Sequence, residues 1–241
     1  MAIAVFGDIH GNLEALEAIL KHIKKNGKIK QTYFLGDAIT FGPDSSACLK
    51  LLKKHKVLCV LGNHEQRVSK YDESAKARTY ADKAHIETIF NSLDEEDLEF
   101  IRTMPVERII KYKGFKVCMT HYSHDEKGKV RDDYDDFSEA NMKRLFKYTD
   151  ANVVFFGHLH RRKILIDEEK NSYILNGSSG CVVGNTTFYT YFDIKQLGDS
   201  PNFDIYRIDV TFNRKKFDEK LIAADLPGKS EYALPCFGMK L

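Results

Sequence analysis

The sequence predicts an α/β protein (α+β by some schemes), with two packed mixed β-sheets flanked by helices in one domain, residues 1–241. Three observations carry this. Short apolar runs alternate with amphipathic helical segments through the first sixty positions, the rhythm of a mostly parallel sheet. Beyond residue 163, four segments alternate apolar with polar residues, as antiparallel strands do. No repeat, low-complexity tract or Pro/Gly-rich linker divides the chain, and its length suffices for one large core.

Taken in order, residues 2–6 form a continuous apolar run, the signature of a strand buried on both faces. Leu13, Leu16, Ile19, Leu20 and Ile23 then recur at helical spacing, and Asn26-Gly27 ends that helix. A second strand is expected at 33–35, a helix opened by Asp44 and Ser45, and a third strand at 57–61. Residues 65–102 break the rhythm as a helical insertion, with helices at 75–90 and 94–102; Asp94, Glu95, Glu96 and Asp97 suit a helix N-terminus. Strands at 106–110 and 115–119 follow, joined by a tight Lys113-Gly114 turn. The acidic stretch 132–136 reads as a solvated loop, and a helix is expected near 138–148. Strands at 153–156, 163–166, 173–175, 187–194 and 203–210 complete the sheets, and an amphipathic helix near 216–224 closes the chain.

Composition excludes several classes. A formal net charge of +2 is too mild for a nucleic-acid or anionic-membrane partner. No apolar stretch approaches the ~18 residues of a membrane span, and 2–6 is too short for a signal peptide. The five cysteines lack paired spacing, Cys59 and Cys118 sit inside apolar runs, and neither fact points to a disulfide framework. A reducing, cytoplasmic setting is expected.

Five apolar strands end in polar residues of one chemical kind: "GDIHGN" (7–12), "GDAITFGPD" (36–44), "GNHE" (62–65), "THYSH" (120–124) and "GHLHR" (157–161). In four of them Gly precedes the polar residue, as needed where the backbone turns sharply or passes close to something. The carboxyl ends of neighbouring strands in an α/β sheet converge on one crevice. Asp8, His10, Asp37, Asn63, His64, His121, His158 and His160 should therefore meet. His, Asp and Asn are ligands for hard to borderline divalent ions. Each piece has a plainer explanation: Asp8 could cap the first helix, Asp37 could be a turn residue, and either His158 or His160 could be a satisfied polar histidine. Five such accidents on consecutive strand ends are improbable, so a dinuclear metal site is expected.

The series Asp-x-His, Gly-Asp, Gly-Asn-His-Glu, His and Gly-His-x-His, running from Asp8 to His160, resembles the calcineurin-like metallophosphoesterase superfamily, in its small bacterial phosphodiesterase branch. "NSYILNGSSG" (171–180) is similar to the Asn-Pro-Gly-Ser segment of those enzymes, with Gly177 in place of the proline. The resemblance fades beyond about residue 194. It implies a metallophosphoesterase-like βαβ sandwich and two divalent ions. Asp8, His10, Asp37 and His160 would hold one; Asp37, Asn63, His121 and His158 would hold the other, with Asp37 bridging. A bridging water activated at such a pair is a nucleophile for in-line attack on phosphorus. His64 adjoins a ligand without being one, and its implied work is to protonate the leaving oxygen or to stabilise charge developing there. Asn63 and the open ligand set point to water-retaining ions such as Mn or Fe, with Zn as the alternative.

Arg67 and Arg161 are candidate phosphate contacts, Tyr122 and His124 candidate walls of the leaving-group pocket, and Glu65 a cap or a partner of a ligand. The expected substrate is a small phosphoester or nucleotide, leaning to a dinucleoside polyphosphate such as diadenosine tetraphosphate. The insertion would wall the site, and Tyr71 or Tyr80 would stack on a base. Two alternatives stand beside this one. A catalytically silent scaffold of the same fold would have lost ligands that this chain keeps. A protein phosphatase would need an open groove. Oligomeric state is not legible.

Overall fold

The computed structural model describes residues 1–71, 80–112, 115–131, 136–197 and 200–239. The first sheet has the order β10-β9-β1-β2-β3. Its strands are β1 (Ala2–Phe6), β2 (Ile29–Phe34), β3 (Leu58–Cys59), β9 (Thr186–Leu197) and β10 (Ser200–Thr211). The pairs β1/β2 and β2/β3 are parallel, while β9 runs antiparallel to both β1 and β10. The second sheet has the order β4-β5-β6-β8-β7, from β4 (Glu107–Tyr112), β5 (Phe115–Thr120), β6 (Val153–Phe156), β7 (Lys163–Ile166) and β8 (Ser172–Leu175). Strands β5, β6 and β8 are parallel, with β4 and β7 antiparallel at the edges.

Alternation along each strand builds three layers of core. Ile3, Val5, Leu35, Val60, Val117, Met119, Val153, Phe155, Ile174 and Phe192 meet between the sheets. The opposite face of the first sheet, with Ala4, Phe6 and Phe34, packs on α1 (Leu13–Lys25) and α2 (Ser45–Lys54) through Leu16, Ile19, Leu20, Leu49 and Leu52. The outer face of the second sheet packs on α6 (Glu139–Leu145) through Met142 and Leu145. Each fully buried Phe or Leu contributes roughly 1.5–3 kcal/mol over its exposed state.

Asn12, not Asp8, caps α1, its Oδ1 accepting from the Ala15 N–H at 3.0 Å. β3 is shorter than the apolar run implies. After Val60 N–H donates to Phe34 O, Leu61 N–H turns away to Pro105 O, and the chain leaves the sheet to enter α3 (Asn63–Ser69). In the insertion, α4 (Tyr80–Ser92), α5 (Glu95–Arg102) and the connection between them contribute Ile86, Ile89, Leu93, Leu98 and Ile101 to the core shared with α1 and α2. Residues 72–79, the Lys113-Gly114 turn and residues 132–135 lie outside the described residues.

Two expectations are corrected. The helix α7 (Arg214–Ala223) does not close the chain: a π-helical turn, Lys229–Ala233, and the short α8, Leu234–Cys236, follow it. Cysteines do pair, as Cys181–Cys236, with a separation of 55 residues that leaves no local spacing signal. Among the described residues, no helix is long and apolar enough to cross a membrane.

Candidate metal centre

The five polar loops converge between the ends of the two sheets, bringing every candidate ligand together. Asp8 and His10 follow β1, Asp37 follows β2, Asn63 opens α3, His121 follows β5, and His158 and His160 follow β6. The backbone at these points is unusual. Among the described residues, Asp8 (φ 52°), His10 (50°), Asp37 (60°), His158 (71°) and His160 (52°) all adopt left-handed conformations. Each such non-glycine residue costs on the order of 1–3 kcal/mol, a strain typical of functional loops. Two glycines allow the close approach: a Cβ on Gly62 would collide with the Asp37 carboxylate, and one on Gly157 with that of Asp8.

Asp37 is the hub. Its Oδ2 lies 3.2 Å from His121 Nε2, and 3.9 Å from each of His10 Nε2 and His64 Nε2. It belongs to two clusters of donor atoms, one with His10 and His64 and the other with His121 and His158. On one side His10 Nε2 stands 3.0 Å from His160 Nε2, which is 3.5 Å from Asp8 Oδ1. On the other, Asn63 Oδ1 lies 2.8 Å from His121 Nε2 and 3.1 Å from His158 Nδ1. Asp8 is fully buried and its Oδ2 has no donor among the described residues. A buried carboxylate oxygen without a donor suits a cation, so the donor set fits divalent ions.

The surrounding charges follow from burial. Burial pushes the pKa of His10 well below its usual value, and neighbouring His160 lowers it further. Burial opposes ionisation of Asp37, yet His121, His64 and His10 outweigh it and hold the carboxyl well below its usual range. Burial likewise works against charge on His121, but Asp37 raises its pKa to about 9.

Outer partners hold these groups. Glu65 is fully buried, and its carboxylate accepts from the N–H groups of Asp37 (2.8 Å), Ala38 (2.7 Å), Ile39 (3.3 Å) and Gly62 (3.1 Å). It caps α3 and supports the Asp37 loop at once, so "GNHE" is both a helix start and the carrier of a candidate ligand. Burial, with Asp37 adding to it, raises the Glu65 pKa to about 7. His121 Nδ1 bonds to Leu35 O at 2.8 Å and His10 Nδ1 to Ile39 O at 3.2 Å, which fixes both rings. His64 is held at Nδ1 by Thr40 Oγ1, 2.7 Å away, and edges against Phe41. Phe41 N–H donates to His85 Nε2, whose Nδ1–H donates to Pro227 O. Thr40, Phe41 and His85 were not among the sequence candidates. The first two lie inside "GDAITFGPD" with positive φ, which for a β-branched threonine is a genuine outlier.

The remaining candidates fall outside the cluster. Tyr122 is fully buried behind His158, ring centroids 4.7 Å apart, because it points to the opposite side from His121. It supports a ring and does not line a pocket. Arg67 pairs with Asp82 at 2.6 Å while lining a cleft of about 700 Å³ that opens from Asn63. His124 lines the same cleft, and Arg161 is exposed beside His160. The ring of Tyr71 packs on Phe90, centroids 5.1 Å apart, and the side chain of Tyr80 lies outside the described residues. Gly177 turns the chain with φ 81°, a conformation closed to the proline of the similar segment.

These strand-end loops on a two-sheet sandwich define a class. The sequence profile of the calcineurin-like phosphoesterases matches residues 1–162, and the chain belongs to that family, whose members use divalent metals. It is 32% identical to the uncharacterized protein MJ0912 of Methanocaldococcus jannaschii, over 93% of both chains. It is 27% identical to a symmetrical bis(5'-nucleosyl)-tetraphosphatase of Actinobacillus pleuropneumoniae, over 50% of this chain and 44% of that protein. The crystal structure of the hypothetical protein PH1004 from Pyrococcus horikoshii superposes with a TM-score of 0.73 over 100% of this chain and 99% of that one, at 18% identity. That last likeness is one of fold alone.

Proposed function

We propose that the protein is a dinuclear metal-dependent phosphohydrolase acting on nucleotide-type polyphosphates. The observation that carries this reading is one buried carboxylate, Asp37, shared between two clusters of donor atoms, with Asn63 beside them lining a cleft rich in cations. On this reading Asp8, His10, Asp37 and His160 hold one ion, and Asp37, Asn63, His121 and His158 the other. Two divalent ions held there would supply Lewis acidity at a phosphoryl oxygen and an activated water. His64 is the proton donor to the leaving oxygen: with Nδ1 anchored on Thr40, its Nε2 lies 3.9 Å from Asp37 Oδ2, beside the shared carboxylate.

The cleft supports the substrate reading. Beside Asn63 it is lined by Arg67, Lys129, Arg131, Arg144 and Lys147, against Asp125 and Glu126. Arg67 is engaged by Asp82, yet Lys129, Arg131, Arg144 and Lys147 still outnumber the two acidic residues, which suits a polyanion. Tyr148, 49% exposed at the rim, offers a face for a base. The tetraphosphatase relative named above, though matched over less than half its length, agrees with a dinucleoside polyphosphate.

The test is a substrate panel on protein reconstituted with Mn, Fe or Zn. For a bis(5'-nucleosyl) tetraphosphate, kcat/KM is expected to exceed that for an aryl phosphomonoester by at least ~100-fold, close to 3 kcal/mol of transition-state binding. Lys129→Ala should raise KM for the dinucleotide and leave the aryl phosphate unaffected. Equal rates on both substrates would reject the nucleotide reading alone. Hydrolysis of neither, with two ions bound, would reject the enzyme in favour of a silent scaffold.

A further inference from the structure

Cys181 belongs both to a disulfide and to a cluster of possible metal donors. Its Sγ lies within 4.8 Å of the ligand nitrogens of His10 and His160, the edge of the metal centre remote from Asn63, while bonded to Cys236 of α8. We propose that Cys181 is a redox-gated ligand, withdrawn while bonded to Cys236 and available as a thiolate to the ion at His10 and His160 once that bond is reduced. The inference rests on the metal centre and not on the choice of substrate.

The position of Cys181 does not depend on the disulfide. Its N–H donates to Ser178 Oγ at 2.8 Å, and that hydroxyl donates to Asp8 O at 2.7 Å. Gly180 N–H also donates to Asp8 O at 3.0 Å, and Asn12 Nδ2 donates to Gly180 O at 2.9 Å. The segment 178–181 is thereby fastened to the loop that carries Asp8 and His10, whatever the state of sulfur. Cys236 is held by contacts of its own besides the disulfide. Arg214 binds Phe237 O at 2.9 Å and Val182 O at 2.7 Å, and Phe237 and Leu234 are buried against Phe217 and Leu221. Opening the bond therefore releases a sulfur that stays beside two histidines.

The chemistry balances by exchange. A dithiol reductant breaks the Cys181–Cys236 bond, leaves both sulfurs as thiols and becomes a disulfide itself. On binding a cation, Cys181 gives its proton to solvent and coordinates as thiolate. A sulfur donor added to two imidazoles favours thiophilic ions of the zinc type over Mn, so the redox state selects the metal.

The probe is Co(II), whose bond to thiolate gives a sulfur-to-metal charge-transfer band in the near ultraviolet. The band is expected in Cys236→Ser and in wild-type protein reduced with a phosphine, and is expected to be missing from oxidised wild type and from Cys181→Ser. Zn should bind Cys236→Ser at least ~10-fold more tightly than Cys181→Ser, the lower end of what even an outer ligand partner contributes. Circular dichroism shows whether each form stays folded. If Cys236→Ser unfolds, the reduced wild type decides. A folded, Co-loaded reduced protein without the band overturns the proposal, as does unfolding of both forms, which would make the bond a structural staple.

Discussion

Asp37 Oδ2 lies 3.2 Å from His121 Nε2, joining a loop of the first sheet to a loop of the second. Both residues are buried, so this contact links the two sheets at the point where the candidate ligands gather. Replacing Asp37 removes charge from both clusters at once. Asp37→Asn is expected to bind fewer than two ions and to lose turnover entirely. Elemental analysis finding two ions in an active variant would exclude Asp37 as the shared ligand.

His64→Ala should keep both ions and lose on the order of 10²–10⁴-fold in kcat for substrates with poor leaving groups. The loss should shrink for p-nitrophenyl esters, whose leaving oxygen needs no proton. Thr40→Val, which removes the anchor at Nδ1, should show a smaller loss with the same dependence on leaving group. A loss independent of the leaving group would assign His64 to charge stabilisation instead, and loss of an ion would make it a ligand.

Glu65→Gln leaves a single carbonyl where two carboxylate oxygens accept four backbone N–H groups, and turns an NH₂ towards some of them. An unsatisfied buried donor costs about 1–3 kcal/mol. Chemical denaturation should show a loss of at least that size, with metal binding weakened because Asp37 shifts. Wild-type stability in this variant would mean that Glu65 is not the support of the Asp37 loop.

The metal-free protein should lose stability towards both ends of the pH scale. The folded pKa of His121, about 9, lies above its unfolded value of about 6.5. Its contribution is therefore complete below pH ~6.5 and lost as pH rises through 9. His85 acts in the opposite sense. Burial lowers its pKa, so its contribution is present above ~6.5 and lost as pH falls below that. Metal binding needs neutral His121, so added ion should release protons and raise the melting temperature more at pH 8.5 than at 6.5. A melting temperature that rises steadily from pH 6.5 to 9 without metal would contradict the His121 assignment.

Most of the fold was legible because local pattern and global burial agree. The run 2–6 is apolar throughout and all five residues are buried. The heptad-like spacing of Leu16, Leu20 and Ile23 is the buried face of α1. Boundaries drifted where tertiary hydrogen bonds overrode the pattern, as at β3, which Pro105 O draws out of the sheet after Cys59. The C-terminal turns after α7 left no signal, since Phe237 and Leu234 are buried by contacts with Phe217 and Leu221 far along the chain.

What the sequence by itself determined is the identity and order of the candidate site residues: Asp8, His10, Asp37, Asn63, His64, His121, His158 and His160 follow the ends of apolar strands, and strand ends converge. What only the tertiary structure decided is direction and support. Adjacent residues leaving a strand point to opposite sides, so His121 faces the centre while Tyr122 backs His158 from beneath. Thr40 and His85 matter through hydrogen bonds to His64 and Phe41. Cys181 reaches the same centre from a segment 171 residues beyond His10, with Cys236 another 55 residues on. No local periodicity encodes such distances, because they are set by how the two sheets and their loops close over one another.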